Sequence, residues 1–289
     1  MFLICAAWGG NFLMSALALQ ELPALLFTAL RLASVGLLLL PWLRWPKGLP
    51  VWRLVAVCLC NGALHFGLSF WALRLAGNLS SPAIVMQTYV PLTVLLSILM
   101  LGERVGWRTS LGMLVSFAGV LVLGFDPLVL QAPASLILML VSAFFLALGT
   151  VLMRGLTGLH PLGLQAFSAW IGLPFLLLAG LLIEGDWRAP LETASWKAWA
   201  GVLYSTLAAS VLGHSLFFWL VQRHPVSQIT PYLLLAPLVA VALGVMFWGD
   251  VLGPRLLVGG GMVLGGVLAI GLRAAKRGRR LESPGSGGS

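Results

Sequence analysis

Charged residues are scarce in this 289-residue sequence. Asp, Glu, Lys and Arg make up 9% of it, hydrophobic residues make up 60%, and the mean hydropathy is +1.02. A water-soluble chain of this composition would lack the polar residues that its surface requires. About ten apolar runs of roughly 18–23 residues fill the chain, and each is long enough to cross a hydrocarbon core about 30 Å thick. The composition excludes a sizeable soluble domain and predicts membrane helices, since barrel strands are shorter and alternate.

Cysteines and catalytic motifs are also scarce. The three cysteines, Cys5, Cys58 and Cys60, lie inside apolar runs, at spacings that suit neither a metal site nor a disulfide framework. We interpret them as small buried hydrophobic residues. No nucleophile elbow or phosphate-binding loop occurs, and the histidines are too far apart in sequence for a metal motif. The sequence therefore predicts no catalytic residue, no metal, no cofactor and no enzymatic activity.

Positive charge dominates the little charge that is present: 17 Lys and Arg give a net charge of +9. These residues gather at the ends of apolar runs and in the tail, which is typical of a membrane protein and argues against nucleic acid as a partner. With the N-terminus in the cytoplasm, twelve basic residues lie on the inner side and four on the outer side, while Arg31 lies inside the membrane. This distribution predicts that both termini are cytoplasmic.

Two long stretches of the chain repeat each other. Trp71 recurs 148 residues later as Trp219, and Pro91 recurs 146 residues later as Pro237. Four further positions pair at a separation of 147 residues: Gly102, Glu103, Gly112 and Gly119 with Gly249, Asp250, Gly259 and Gly266. A repeat of this length indicates that the chain consists of two related halves.

Each half contains five predicted helices, an odd number, so the second half enters the membrane upside down relative to the first. The sequence thus predicts an all-α membrane protein of ten transmembrane helices, built as two inverted five-helix repeats around a central cavity. The repeats occupy residues 1–125 and 134–272, and residues 273–289 form a basic cytoplasmic tail and flexible linker. Inverted repeats are typical of secondary transporters, whose cargo sites lie near the midplane where the halves meet.

Carboxylates are missing from the middle of every apolar run. All eight lie at run ends, between runs or in the tail: Glu21, Glu103, Asp126, Glu184, Asp186, Glu192, Asp250 and Glu282. Proton-driven antiporters commonly use a carboxylate at mid-depth. Without one, either a histidine, which titrates near neutral pH, transfers the proton, or the protein is a uniporter.

Five short groups of consecutive residues carry a family resemblance. The groups Phe70-Trp71-Ala72-Leu73, Ser80-Ser81-Pro82-Ala83, Tyr89-Val90-Pro91-Leu92, Leu101-Gly102-Glu103-Arg104 and Pro237-Leu238-Val239-Ala240 resemble the EamA repeat of the drug/metabolite transporter superfamily. Asp250 departs from the Glu that is usual after the preceding glycine. Within the superfamily the chain is most similar to the bacterial aromatic amino-acid exporters of the YddG type. The resemblance implies a ten-helix basket whose cavity is lined by helices 1, 3, 4, 6, 8 and 9, in the bacterial inner membrane.

Two polar stripes at helical spacing are candidate parts of a cargo path. The first, in helix 3, is Asn61, His65 and Ser69, and the second, in helix 8, is Thr206, Ser210 and His214. Residues four apart share one face of a helix. The stripes either face a wet cavity and bind the substrate, or hydrogen-bond neighbouring helices.

Helix 1 offers a third candidate face with Trp8 and Asn11, next to the pair Gly9-Gly10. Glycine lets a backbone or a ligand approach closely, so substrate binding and helix packing are both open.

Prolines mark helices 4 and 9. Gln87 and Tyr89 precede Pro91 in helix 4, and Tyr232 precedes Pro237 in helix 9. A proline inside a helix frees a carbonyl and permits a bend. We therefore expect Gln87, Tyr89 and Tyr232 to bind substrate, and Pro91 and Pro237 to act as hinges.

Arg31 lies about seven residues inside helix 2, where it could hold a substrate carboxylate. Snorkelling outward or bonding to loop carbonyls is the favoured interpretation. In helix 10, Gly259-Gly260-Gly261 allows close packing inside the monomer or dimerisation.

Taken together, the sequence predicts a secondary transporter that moves small neutral amphipathic metabolites, with amino acids including aromatic ones favoured, across the plasma membrane by alternating access. Its expected partners are a small-molecule substrate and the lipid bilayer, and its expected state is a monomer or weak homodimer. A multidrug or other metabolite exporter, a channel or sensor, and an intramembrane enzyme are the alternatives.

Overall fold

The computed structural model describes residues 1–45, 48–154, 156, 159–221 and 230–282, without the side chains at positions 128, 218, 219, 221, 230, 231 and 276–282. Of the twelve basic residues assigned to the inner side, Lys47 and Arg223 lie outside the described residues, as do the side chains of Lys276, Arg277, Arg279 and Arg280. Residues 283–289 and the side chain of Trp219 also lie outside them. The described chain is helical, and no strand occurs in it. The expected all-α class is confirmed.

The long helices, numbered in chain order, are α1 (Phe2–Leu19), α2 (Ala24–Leu38), α3 (Val51–Ala76), α4 (Ser80–Leu101), α5 (Trp107–Gly124), α6 (Pro133–Met153), α7 (Pro161–Ile183), α8 (Trp196–Tyr204, Ser205–Gly213 and His214–Val221), α9 (Thr230–Leu234, Leu235–Leu243 and Gly244–Trp248) and α10 (Pro254–Glu282). Short helical segments lie in the connections at Leu40–Trp42, Pro127–Leu130 and Arg188–Thr193. Within the described ranges, eight helices are long and apolar enough to cross a membrane. The helix α2 and the part of α9 from Tyr232 to Trp248 are shorter and also apolar.

Large apolar side chains cover the outside of the bundle. Leu99, Leu121, Leu182 and Met246 are all more than two-thirds exposed, and many others resemble them. A water-soluble monomer rarely exposes apolar surface this extensively, whereas lipid chains cover such a surface without cost. The outer face therefore fits the hydrocarbon core of a bilayer.

Helices α5 and α10 pack closely against each other through glycines. Gly112 and Gly119 on α5 face Gly266 and Gly259 on α10, and a Cβ added at Gly119 would lie 2.6 Å from the carbonyl oxygen of Gly259. Backbones can approach this closely only where side chains are absent. Two of the helix-10 glycines thus serve packing inside the monomer, whereas no described atom lies within 4 Å of a Cβ added at Gly261.

Alanine at Gly119 is expected to lower the free energy of unfolding by about 1–3 kcal/mol, because the methyl group must push α5 and α10 apart. Thermal unfolding of the purified protein in detergent measures the effect. Gly261→Ala is the matched control, since the same change meets open space there. Equal melting temperatures for both variants would contradict this packing.

Carboxylates at the helix ends cap other helices. The backbone N–H groups of a first helical turn have no partner within their own helix, and the helix dipole favours negative charge there. The capping pairs are Glu21 with Ser195 at the start of α8, Glu184 with Leu25 and Leu26 at the start of α2, Asp126 with Leu256 in α10, and Asp250 with Leu79 and Ser80 at the start of α4. Hydrogen bonds from the Ser195 hydroxyl and backbone lower the pKa of the Glu21 carboxyl.

Candidate functional site

Two helices, α3 and α8, change from α-helical to π-helical winding at mid-length. The π-helical stretches are Leu59–Leu64 and Ser205–Gly213, and each ends directly before a histidine, His65 or His214. A π-helical turn bonds to the carbonyl five residues back, and such interruptions are frequent at functional sites. The change of winding leaves carbonyls near both histidines available to side chains.

In α8 the carbonyl of Ala209 meets two side chains. The indole of Trp8 donates to it at 3.0 Å from α1, and Nδ1 of His214 lies 3.0 Å from it. A carbonyl oxygen only accepts, so His214 has a proton on Nδ1. Gly213 makes room for the indole, because a Cβ there would lie 2.6 Å from Nε1 of Trp8. The centroids of the Trp8 and His214 rings are consequently only 5.2 Å apart.

In α3, His65 is held by a reciprocal pair of hydrogen bonds with α6. The Ser142 hydroxyl donates to the carbonyl of His65 at 2.8 Å, and Ser142 Oγ lies 2.9 Å from Nδ1 of the imidazole. A serine hydroxyl has one hydrogen, which goes to the carbonyl, so Nδ1 must donate in the second bond. In neutral His65 the proton is therefore on Nδ1, and Nε2 is an acceptor.

Helix α6 contacts α3 through small residues seven positions apart. Ser135 donates to the carbonyl of Ala72, Ser142 bonds His65, and Gly149 leaves space for the Asn61 side chain. Part of the polar stripe predicted in α3 therefore packs against α6. Asn61 Oδ1 is buried there, and no donor within the described ranges reaches it.

Arg31 of α2 is buried between α3 and α8, with 2% of its surface exposed. Its Nε and Nη2 donate to Ser210 Oγ at 3.1 and 2.8 Å, and the Ser210 hydroxyl donates to the carbonyl of Ser205. The guanidinium carbon lies 3.7 Å from the centre of the Phe66 ring and 5.4 Å from that of Phe70. Among the described residues, no acceptor reaches Nη1 and no carboxylate pairs with the guanidinium.

This placement of Arg31 corrects the sequence interpretation, because the side chain neither snorkels nor bonds loop carbonyls. A basic residue at the centre of a membrane helix costs about 2.5–3.5 kcal/mol on insertion scales. An unsatisfied buried donor costs about 1–3 kcal/mol more. The cation–π contact with Phe66 returns about 0.5–2 kcal/mol. The two hydrogen bonds to Ser210 also offset the cost of this buried cation.

Contacts join these residues into what we call the central cluster: Trp8, Arg31, His65, Phe66, Ser142, Ser210 and His214. Five helices contribute to it: α1, α2, α3, α6 and α8. The Phe66 ring links its two sides, since the His65 ring centroid lies 4.6 Å from that of Phe66. Of the residues predicted to bind substrate, Trp8, His65, Ser210 and His214 fall in the cluster.

The other predicted residues have different surroundings. Asn11 accepts from Ser15 one turn along α1, and the Ser69 hydroxyl donates to the carbonyl of Phe66. Gln87 and Tyr89 lie half-buried in the middle of α4, and Tyr232 is 56% exposed at the start of α9. A role for these residues in substrate binding stays a prediction.

The two candidate hinge prolines occupy matching positions. The helix of α4 stops at Met86, turns at Gln87 and Thr88, and resumes as Tyr89–Leu101, in which Pro91 is the third residue. Pro237 is the third residue of Leu235–Leu243, directly after the 3₁₀-helical stretch of α9. Proline lacks an N–H, and its ring clashes with the carbonyl four residues back, so both helices lose α-helical winding just before it. In α4 the Thr88 hydroxyl bonds the carbonyl of Val85 at the break.

Sequence reasoning missed two members of the central cluster, Ser142 and Phe66. A serine in the middle of the apolar run of α6 was a usable signal for Ser142, since polar groups inside a membrane helix need partners. No signal in the sequence pointed to Phe66, because an aromatic residue in an apolar run usually belongs to the hydrophobic core. Metal-ligand geometry gives no further site: the described residues contain no group of three His, Cys, Asp or Glu that could hold an ion.

At one end of the bundle Asp250 joins two helices. Its carboxylate accepts from the backbone N–H groups of Leu79 and Ser80 and from the Ser80 hydroxyl, which ties the end of α9 to the start of α4. The Trp248 indole adds a bond to the carbonyl of Gly77 at 3.3 Å. A cleft of about 200 Å³ lies beside this tie, with Gln20, Arg74 and Asn78 among its lining residues.

Comparisons with known proteins agree with this architecture. A family model described as the EamA-like transporter family matches residues 1–125 and 133–272. The chain is 26% identical over 273 residues to the probable amino-acid metabolite efflux pump of Salmonella typhimurium, covering 92% of this chain and 91% of that one. It is 32% identical over 267 residues to the uncharacterized transporter YvbV of Bacillus subtilis, covering 87% and 84%. A solved crystal structure with 20% identity superposes on 98% of this chain and 97% of its own with a TM-score of 0.63, so the two share a fold.

Proposed function

Because the chain belongs to the EamA-like transporter family, we propose that it exports small neutral amphipathic metabolites, amino acids among them, across the plasma membrane. The observation that carries the proposal is the central cluster. Polar side chains in the middle of a membrane protein are costly, and secondary transporters place their cargo sites at that depth. The likeness to a probable amino-acid metabolite efflux pump supports amino acids as the cargo.

We further propose ten membrane-spanning helices in two inverted repeats, residues 1–125 and 134–272, with a basic cytoplasmic tail at 273–289. The paired family match supports this arrangement. So do features that recur five helices apart: a π-helical stretch before His65 and before His214, and a proline at the third position of a helix at Pro91 and at Pro237. Helix α6 packs on α3 and α4, as α1 packs on α8 and α9.

The excess of basic residues on one side supports cytoplasmic termini and, by resemblance, the bacterial inner membrane. In that orientation Asp250 and Ser80 lie at the outer end. We propose alternating access, in which α4 and α9 bend near Pro91 and Pro237 while the tie at Asp250 opens and closes the outer mouth. In the described structure the hydrogen bonds between Asp250 and the start of α4 are formed.

Transport by the purified protein in liposomes tests the proposal. Labelled phenylalanine and leucine should leave preloaded vesicles in a saturable, stereoselective manner, with and without a pH gradient. Stimulation by the gradient would indicate proton coupling, and equal rates a uniporter. Flux that rises linearly with concentration and ignores stereochemistry would instead indicate a channel and contradict a transporter.

A further inference from the structure

We propose that Nη1 of Arg31 binds the carboxylate of the transported molecule. The cargo class is then neutral amino acids that combine a carboxylate with an apolar body, and the corresponding amides and amines are expected to bind less well. This inference rests on the proposed transport function and deepens it by naming the group that the protein recognises.

The hydrogen-bonding pattern of Arg31 leaves one edge of the guanidinium for a ligand. Nε and Nη2 form one edge, and both donate to the single oxygen of Ser210. The other edge consists of Nη1, which no acceptor in the described chain reaches, and the second hydrogen of Nη2. Two parallel N–H groups match the two oxygens of a carboxylate, which forms a short bidentate pair with a guanidinium.

The charge balance of the cluster also points to a negatively charged group on the ligand, such as the carboxylate of a zwitterionic amino acid. Every carboxylate whose side chain is described lies at a helix end or in a connection, and none pairs with Arg31. If Arg31 only linked α2 to Ser210, a neutral donor such as a glutamine amide would serve without a buried charge. A buried guanidinium without a carboxylate partner in the described chain suits recognition of a carboxylate on a ligand.

The Phe66 ring covers the guanidinium of Arg31. The ring centre lies 3.7 Å from the guanidinium carbon, and Phe66 is half-buried where Arg31 is fully buried. A shift of this ring, which also contacts His65, would make room for a ligand beside the guanidinium. The rings of Phe66, Phe70 and Trp8 would then surround the apolar body of the cargo, which suits neutral amino acids with large side chains.

The test is competition for labelled phenylalanine in proteoliposomes that contain the full-length protein. Unlabelled phenylalanine and phenyllactate, which keep the carboxylate, are expected to compete. Phenylalaninamide and phenethylamine, which lack it, are expected to compete about tenfold less well or worse, as loss of a charge-assisted hydrogen bond predicts. Equal competition by the amide, or none by phenyllactate, would overturn the proposal without any variant.

Substitution at position 31 gives the second readout. In Arg31→Gln, the apparent affinity for phenylalanine is expected to fall about tenfold or more, and the preference for phenylalanine over its amide to disappear. Arg31→Lys, which keeps the charge but loses the two parallel N–H groups, should retain part of the preference. Arg108→Gln is the control, because it removes an exposed guanidinium that stacks on Trp107. A purely structural Arg31 would lower the amount of folded protein without changing the preference.

Two failures are distinguishable. Wild-type protein that moves no amino acid at all would contradict the proposed function. Wild-type protein that moves phenylalanine, together with an Arg31→Gln variant that keeps the same affinity and the same discrimination against the amide, would contradict only the assignment of Arg31.

Discussion

Asparagine at position 65 is expected to remove most transport, whereas glutamine there is expected to retain it. The amide nitrogen of asparagine can replace Nδ1 of His65 and keep the bond to Ser142, but it offers nothing at the position of Nε2. The longer glutamine side chain can place an acceptor oxygen near Nε2. If Nε2 accepts a hydrogen bond from the cargo, the two variants should differ by about tenfold in transport rate per folded protein.

The same pair of variants separates a cargo role from a packing role. Were His65 only a link between α3 and α6, asparagine would preserve that link and support transport better than glutamine. Ser142→Ala is a further control, because it removes the partner of Nδ1 and leaves the imidazole in place. It is expected to cause a smaller loss than His65→Asn. Monodispersity on size exclusion shows that each variant is folded.

Alanine at Pro91 or Pro237 is expected to slow transport and to raise the melting temperature together. Alanine restores an N–H and removes the clash with the carbonyl four residues back, so the broken segments of α4 or α9 can join into continuous helix. A proline inside a helix costs about 3 kcal/mol. Each 1.4 kcal/mol added to the barrier for bending slows that step about tenfold. Initial rates in proteoliposomes and thermal unfolding measure the two effects.

Pro174 supplies the matched control, because it lies inside α7 and the helix continues through it from Pro161 to Ile183. Pro174→Ala should leave the transport rate unchanged whatever it does to stability. Slower transport in all three variants, or unchanged transport in Pro91→Ala and Pro237→Ala, would contradict the hinge assignment.

Hydropathy and the prolines, glycines and charged residues between apolar runs were enough to predict the helical membrane class. Apolar runs can be read directly, and a break near Pro91 follows from the chemistry of proline. The two histidines were found because polar residues stand out at helical spacing in an apolar helix. The π-helical winding of Leu59–Leu64 and Ser205–Gly213 could not be predicted, because the glycine and polar residues in these stretches also occur in continuous membrane α-helices.

The role of Arg31 could not be derived from the sequence alone. Depth in the membrane suggested snorkelling, but its environment depends on Ser210, 179 residues away, and on Phe66 of a third helix. Only the packed structure shows that two of its nitrogens donate to Ser210 and that no acceptor in the described chain reaches Nη1. Interactions of this range are set by tertiary packing and have no local signature.

The location of bound cargo tests the account most directly. A crystal of the protein grown with 4-bromophenylalanine would give an anomalous signal for bromine and density for the carboxylate. The central cluster predicts the carboxylate at Nη1 of Arg31 and the bromine among the rings beside Phe66. Bromine found only in the cleft lined by Arg74 and Asn78, with the Arg31 guanidinium still covered by Phe66, would contradict it.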